Sequence, residues 1–308
     1  MIMEFMDELR FLKEQLKFNE KVDVPPGASE VVIAGMGGSG IAGKIFQELF
    51  TEFKVHLIDN YAVPKFVSKS TLFIAISFSG NTEETISAAS QAARAGAHMV
   101  TISSGGALSE MGDQNIKIPR NDIQPRSATG YMLIPLLKGF DVISKSEINE
   151  LYGLLDQLDK NNEECKIHAK NISKKSLIPV IYGSPPLCSI AYRWKTQFNE
   201  NAKVIAYSNS FPELNHNDTM AIAQTYRKDE FYFLVFGSDS GKIKKRINVT
   251  EKITESNFNV IKPKGHGQIP RMFYMLHYGD YVSYHLGMLR KVNPTDISLI
   301  EKLKKEIK

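Results

Sequence analysis

"VVIAGMGGSG", residues 31–40, runs from a β-branched apolar stretch into four glycines and a serine, the pattern of a strand that turns sharply into a helix. Similar short apolar runs recur at 55–59, 72–77, 98–103 and 116–118, most of them separated by enough chain for a helix. That rhythm predicts an α/β fold, a parallel sheet with helices on both faces. A polar helical stretch over 144–173 interrupts it, with Leu151, Leu154, Leu155 and Leu158 forming an apolar stripe that then fades. Apolar runs resume at 178–182, 204–207, 231–236 and 257–261, a second α/β unit with no clear sequence repeat of the first. A chain of 308 residues has room for two such domains, expected at 1–150 and 151–308. Ahead of both, Phe5, Leu9, Leu12 and Leu16 recur at helical spacing, so the first twenty residues are expected to form one amphipathic helix.

Charge and cysteine usage narrow the class of partner. Thirty-eight Lys and Arg against 34 Asp and Glu leave a net charge of +4 with no basic block, which predicts neither a nucleic-acid nor a membrane partner. Cys165 and Cys188 lie outside any C-x-x-C or Cys/His cluster, the pattern of a reducing compartment without a structural metal. Glu4, Asp7 and Glu8 stand where a signal peptide needs an uncharged segment, and no run approaches the roughly eighteen apolar residues of a membrane span. A cytoplasmic protein acting on a small molecule is expected.

Gly35, Gly37 and Gly40 satisfy G-x-G-x-x-G, and Asp59 closes the second strand about twenty residues on, so the loop is open to a dinucleotide reading. A glycine turn that only lets strand and helix pack closely is the alternative. The third strand argues for a different ligand. It ends in "SFSGNTEET", residues 77–85, where Ser77, Ser79 and Thr82 set three hydroxyls around Gly80 and Asn81 at the start of a helix. Hydroxyls and unpaired N–H groups at a helix start suit a terminal phosphate. Ser79 or Thr82 also fits as a simple helix cap, with Glu83 and Glu84 complementing the dipole. Capping leaves unexplained the second hydroxyl loop, Gly38-Ser39-Gly40, at the same sheet edge.

The pair "GMGGSG" and "SFSGNTEET" resembles the sugar isomerase fold, in which two flavodoxin-like domains, each a parallel sheet flanked by helices, bind a sugar phosphate through serine and threonine loops. The resemblance assigns Ser39, Ser77, Ser79 and Thr82 to the phosphate, with Gly38 supplying backbone.

Aldose–ketose isomerisation needs a carboxylate to move a proton between adjacent carbons, a cation beside the enediolate, and an acid/base for ring opening. Glu200 lies off the apolar stripe Ile190, Trp194, Phe198, close to a helix C-terminus where the dipole disfavours negative charge; it is also read as a solvated helix-end glutamate. His216, in the polar "ELNHND", is open to a surface reading, and Arg126, in "PRSATGY", to covering a domain interface as much as to steadying an anion from a loop at a helix start. Ile297, Ile300 and Leu303 predict a final amphipathic helix packed on the body of the protein, with Lys302 at the edge of its stripe.

Six blocks in order, "GMGGSG", "SFSGNTEET", "PRSATGY", "NENAK", "ELNHND" and "GDYVSYHLGMLRKVNPTDISLIEKLK", resemble the bifunctional phosphoglucose/phosphomannose isomerases across nearly the whole chain. The resemblance implies that Glu200 transfers the proton, that His216 and Lys302 handle ring opening and proton donation, and that Arg126 steadies the enediolate. It implies that Thr295 leaves room for both C2 epimers of the hexose 6-phosphate substrates, and that no metal or redox cofactor takes part. It further implies a homodimer in which His216 crosses the interface. Two other classes stay open, a sugar-phosphate sensor without catalysis and an NAD-binding oxidoreductase.

Overall fold

The computed structural model describes residues 4–52, 54–119 and 122–307. The chain divides into two compact units, Met1–Tyr152 and Gly153–Lys308.

In the first unit, α1 (Phe5–Arg10) and α2 (Leu12–Gln15) precede a sheet of five strands: β1 (Glu30–Ala34), β2 (Lys54–Ile58), β3 (Thr71–Ser77), β4 (His98–Ser103) and β5 (Gln114–Lys117). All neighbours are parallel, in the order β2-β1-β3-β4-β5. The central strand β3 is buried over its whole length, as an apolar run flanked by strands and covered on both faces must be. Helices α3 (Gly37–Leu49), α4 (Glu83–Arg94), α5 (Thr129–Gly139) and α6 (Lys145–Lys160) follow, and the division between units falls inside α6. Ala88, Ala89 and Ala92 form the sheet-facing side of α4, and such small residues let it pack closely over Val32, Phe73 and Ala75.

The second unit carries β6 (Ile178–Gly183), β7 (Tyr207–Ser210), β8 (Phe231–Phe236) and β9 (Phe258–Ile261), all parallel, in the order β7-β6-β8-β9. This repeats the first four places of the first sheet, so both units have flavodoxin-like strand order. Its helices are α7 (Glu163–Lys175), α8 (Cys188–Asn201), α9 (Asp218–Gln224), α10 (Gly241–Thr254), α11 (Gln268–Leu289) and α12 (Ser298–Glu306). The long α11 is buried over most of its length between Ile269 and Gly287 and packs against α8. Trp194 Nε1 donates to the Met275 carbonyl at 2.7 Å, and Arg193 and Gln197 both donate to Asp280, at 3.0 and 2.7 Å. Gly279 is required there, since a Cβ would stand 2.2 Å from Trp194 Nε1.

Four expectations are corrected. The first helix is two short ones, broken at Phe11 by i→i+3 bonds; Gln15 then turns its amide to the Ser127 carbonyl at 2.7 Å and ends the run early. Met1–Met3 of that expected helix, like Lys308 at the other end, lie outside the described residues. The stretch 144–173 is two helices, parted after Lys160, and α7 keeps a buried stripe of Cys165, Ala169 and Ile172, too small and mixed to stand out in sequence. The run expected at 204–207 lies three residues early: β7 is the polar "YSNS", an edge strand, and Ile205 is 70 % exposed. Finally, α12 forms but is not packed on the body, for it buries no residue and Leu299 is 80 % exposed. Among the described residues no helix is long and apolar enough to cross a membrane.

Candidate active site

At the C-terminal ends of β1 and β3 the glycines serve two purposes. A Cβ on Gly40 would fall 2.5 Å from the Gly35 carbonyl, so these two glycines let β1 and α3 meet closely. Gly38 faces the 125–128 turn instead, where a Cβ would lie 3.0 Å from Arg126 Cα. Gly37 takes the positive φ of +51° that the turn into α3 demands. The crevice lined by Gly35, Gly40, Lys44 and Asp59 is only about 10 Å³, and Asp59 faces Lys44 Nζ at 3.7 Å.

The hydroxyl loops meet through hydrogen bonds. Ser39 Oγ accepts the Phe78 N–H at 3.1 Å, joining the first loop to the second. Ser77 Oγ lies 2.9 Å from Thr82 Oγ1 and accepts the Gly80 N–H at 3.1 Å, while Ser79 Oγ accepts from Asn81 N at 3.2 Å. Gly80, at φ +70°, is pressed against the Gly105 carbonyl, where a Cβ would sit at 1.6 Å. Thr82 is the residue preceding α4, yet its side chain makes no capping bond. The expectation of a capping hydroxyl is thus corrected: the hydroxyls bond across the loop, and the first-turn N–H groups of α4 receive no cap from them. Ser104, which sequence reasoning missed, braces the loop from β4 by donating to the Phe78 carbonyl at 2.5 Å.

Arg126 lies in a 3₁₀ turn, Pro125–Ala128, directly ahead of α5. Only 3 % exposed, its guanidinium lies over the Phe5 ring at 5.2 Å, and Nη1 reaches Gln124 Oε1 at 3.3 Å. Glu8 accepts the Gln124 N–H at 2.9 Å. Burial pushes the Glu8 carboxyl above the usual carboxylate range, against the opposing pull of that N–H and of the Arg126 charge. The turn carrying Arg126 is therefore set by α1 and α2, more than a hundred residues earlier in the chain, and no local pattern signals it.

In the second unit, Glu200 is half-buried near the end of α8, whose last residue, Asn201, donates to Ser283 Oγ of α11 at 2.9 Å. Lys203, at φ +54°, donates from Nζ to the carbonyls of Glu200 (2.6 Å) and Asp296 (2.7 Å). That ammonium ties Asp296, the residue after Thr295, to the end of α8. Thr295 Oγ1 donates to Asn293 Oδ1 at 2.8 Å. Lys302, on the exposed α12, makes no ion pair among the described residues. Sequence reasoning missed Lys203; its place in "NENAK" was the available signal.

His216 is elsewhere. It closes a short 3₁₀ turn, Glu213–His216, and is exposed. The turn follows β7 at the C-terminal end of the sheet, whereas α8 returns from that end, so Glu200 sits at the opposite one. Twelve residues of α8 separate Cys188 from Glu200, about 18 Å along the axis.

The fold and the hydroxyl loops define a sugar isomerase protein, and comparison with known proteins agrees. Residues 27–135 match the SIS domain model and 161–307 the bacterial phospho-glucose isomerase C-terminal SIS domain. Among solved structures, glucosamine-6-phosphate deaminase from Thermotoga maritima superposes with a TM-score of 0.71 at 15 % identity, covering 94 % of each chain, a likeness of fold alone. The bifunctional phosphoglucose/phosphomannose isomerase of Thermoplasma volcanium is 55 % identical over 99 % of this chain and 100 % of its own, and that of Thermoplasma acidophilum 54 % identical over 99 % and 98 %. The chain belongs to the bifunctional phosphoglucose/phosphomannose isomerases, and is an isomerase rather than a sensor or a dinucleotide oxidoreductase.

Proposed function

We propose that the chain interconverts glucose 6-phosphate and mannose 6-phosphate with fructose 6-phosphate by proton transfer through a cis-enediolate. Ser39, Ser77, Ser79 and Thr82, with the backbone at Gly38, hold the phosphate. The Glu200 carboxylate takes the proton from C2 of the open aldose, C1–O1 becomes part of the enediolate, and the proton returns to C1 as C2–O2 becomes the ketone, while the hydroxyl proton passes from O2 to O1. Arg126 steadies the intermediate charge, Lys302 and His216 exchange protons with the ring and hydroxyl oxygens, and Thr295 admits either C2 epimer. The observation that supports this reading most is the neutral cradle: Ser77 and Thr82 hydroxyls bonded within one loop, Ser39 of the other loop bonded to the Phe78 N–H, and uncapped helix N–H groups beside them.

His216 is assigned to the site of a second copy of the chain. What supports this is its position at the opposite end of the second sheet from Glu200, combined with its exposure. Glu200→Gln tests the proton transfer. Turnover is expected to fall by about two to four orders of magnitude with sugar-phosphate binding kept, the usual contribution of a positioned base. A near-normal rate removes Glu200 from the mechanism.

A further inference from the structure

The second unit has its own hollow at its strand ends. A cavity of about 520 Å³ opens beyond β6, β8 and β9, a size that suits a small metabolite. Three helices begin on its wall: Leu187 precedes α8, Ser240 precedes α10, and Gln268 opens α11. These helices are 14, 14 and 22 residues long, and none of the three starts carries a side-chain cap. Unpaired N–H groups and the positive ends of three dipoles thus converge on one space.

Helix starts alone do not make a site, and Ser184 supplies an independent sign. It lies just after β6 on the cavity wall, is only 3 % exposed, and its hydroxyl has no hydrogen-bond partner among the described residues. The small part of Ser184 that is not covered borders the cavity, so its hydroxyl is free to bond a group held there. The charges favour an anion. Arg271 is committed to Asp239, with Nη1 2.5 Å from Oδ2, while Lys244 and Lys262 line the cavity and make no ion pair among the described residues. Pro186, Val260 and Pro263 add an apolar wall.

We propose that this cavity binds a phosphorylated small molecule, the phosphate meeting Ser184, Lys244, Lys262 and the converging helix starts, and the remainder lying on the apolar wall. The site is separate from Glu200, which stands at the far end of α8. It does not depend on the isomerase assignment.

The test is calorimetric titration of the full chain carrying Ser79→Ala and Thr82→Ala, which weakens the first cradle, using inorganic phosphate, glucose 6-phosphate and adenosine 5′-monophosphate as probes. At least one probe is expected to bind at one equivalent per chain. Lys244→Glu and Lys262→Glu, both at exposed positions that folding tolerates, are each expected to weaken that binding about tenfold or more, the worth of one charge-assisted hydrogen bond. The tightest of the three probes identifies the ester. No binding of any probe at about 10 mM, or binding indifferent to both charge reversals, overturns the proposal.

Discussion

The two units end their central strands in different ways. In the first, the loops after β1 and β3 fill the space themselves: Ser39, Ser77 and Thr82 bond to one another or to neighbouring backbone, and Gly80 is jammed against Gly105. In the second, the loops after β6 and β8 stand apart around a cavity onto which Ser184 opens. The same strand order therefore yields a tight neutral cradle in one place and a wider cationic hollow in the other. The lesson is that strand order fixes where a ligand sits, and a few loop residues decide its charge and size.

Gly80→Ala gives the sharpest test of this contrast. Its positive φ and the Gly105 carbonyl leave no room for a methyl group, so a loss of about 3 kcal/mol or more is expected in chemical denaturation. Gly237, at the end of β8, has its nearest obstacle at 3.4 Å, and Gly237→Ala should stay within about 1 kcal/mol of the parent. Equal losses would erase the distinction between tight and open loops. Next in size, Ser79→Ala with Thr82→Ala is expected to raise the KM for fructose 6-phosphate about tenfold or more with kcat less affected. An unchanged KM would put the phosphate somewhere else.

The smallest expected effect separates the units by pH. Burial, helped by the nearby Lys166 charge, lowers His285 in the second unit to about 4, so the folded state prefers the neutral ring. Its contribution to stability is present above the ordinary value of 6.5 and is lost as pH falls toward 4. Glu8 in the first unit is raised, so its contribution is complete below the ordinary carboxylate value and is lost as pH rises through the folded one. Hydrogen exchange followed from pH 7 to about pH 4 should show α11 losing protection while α1 gains it. Parallel changes in both helices would contradict these opposed signs.

Much of this architecture was legible in sequence, because a parallel strand buried on both faces is an apolar run, as β1, β3, β4, β6 and β8 are. The polar edge strands β5 and β7 were displaced, since the apolar runs read at 116–118 and 204–207 overlap only part of them. Hydroxyl loops were legible as motifs, but their partners were not. Thr82 read equally well as a cap, and only the Ser77–Thr82 bond decides where its oxygen points. Arg126 read equally as an interface cover and as an anion partner, since the groups that enclose it, Phe5 and Glu8, come from far away in the chain. Periodicity identified the apolar stripe of α12, but periodicity records only that a face is apolar, not that anything covers it.

Glu200 and His216 leave the second sheet by opposite ends, and on the proposed roles a solitary chain holds only part of what one sugar requires. Specific activity should then decline with dilution as partners separate, and mixing an inactive Glu200→Gln chain with an inactive His216→Ala chain should restore turnover in the mixed pairs alone.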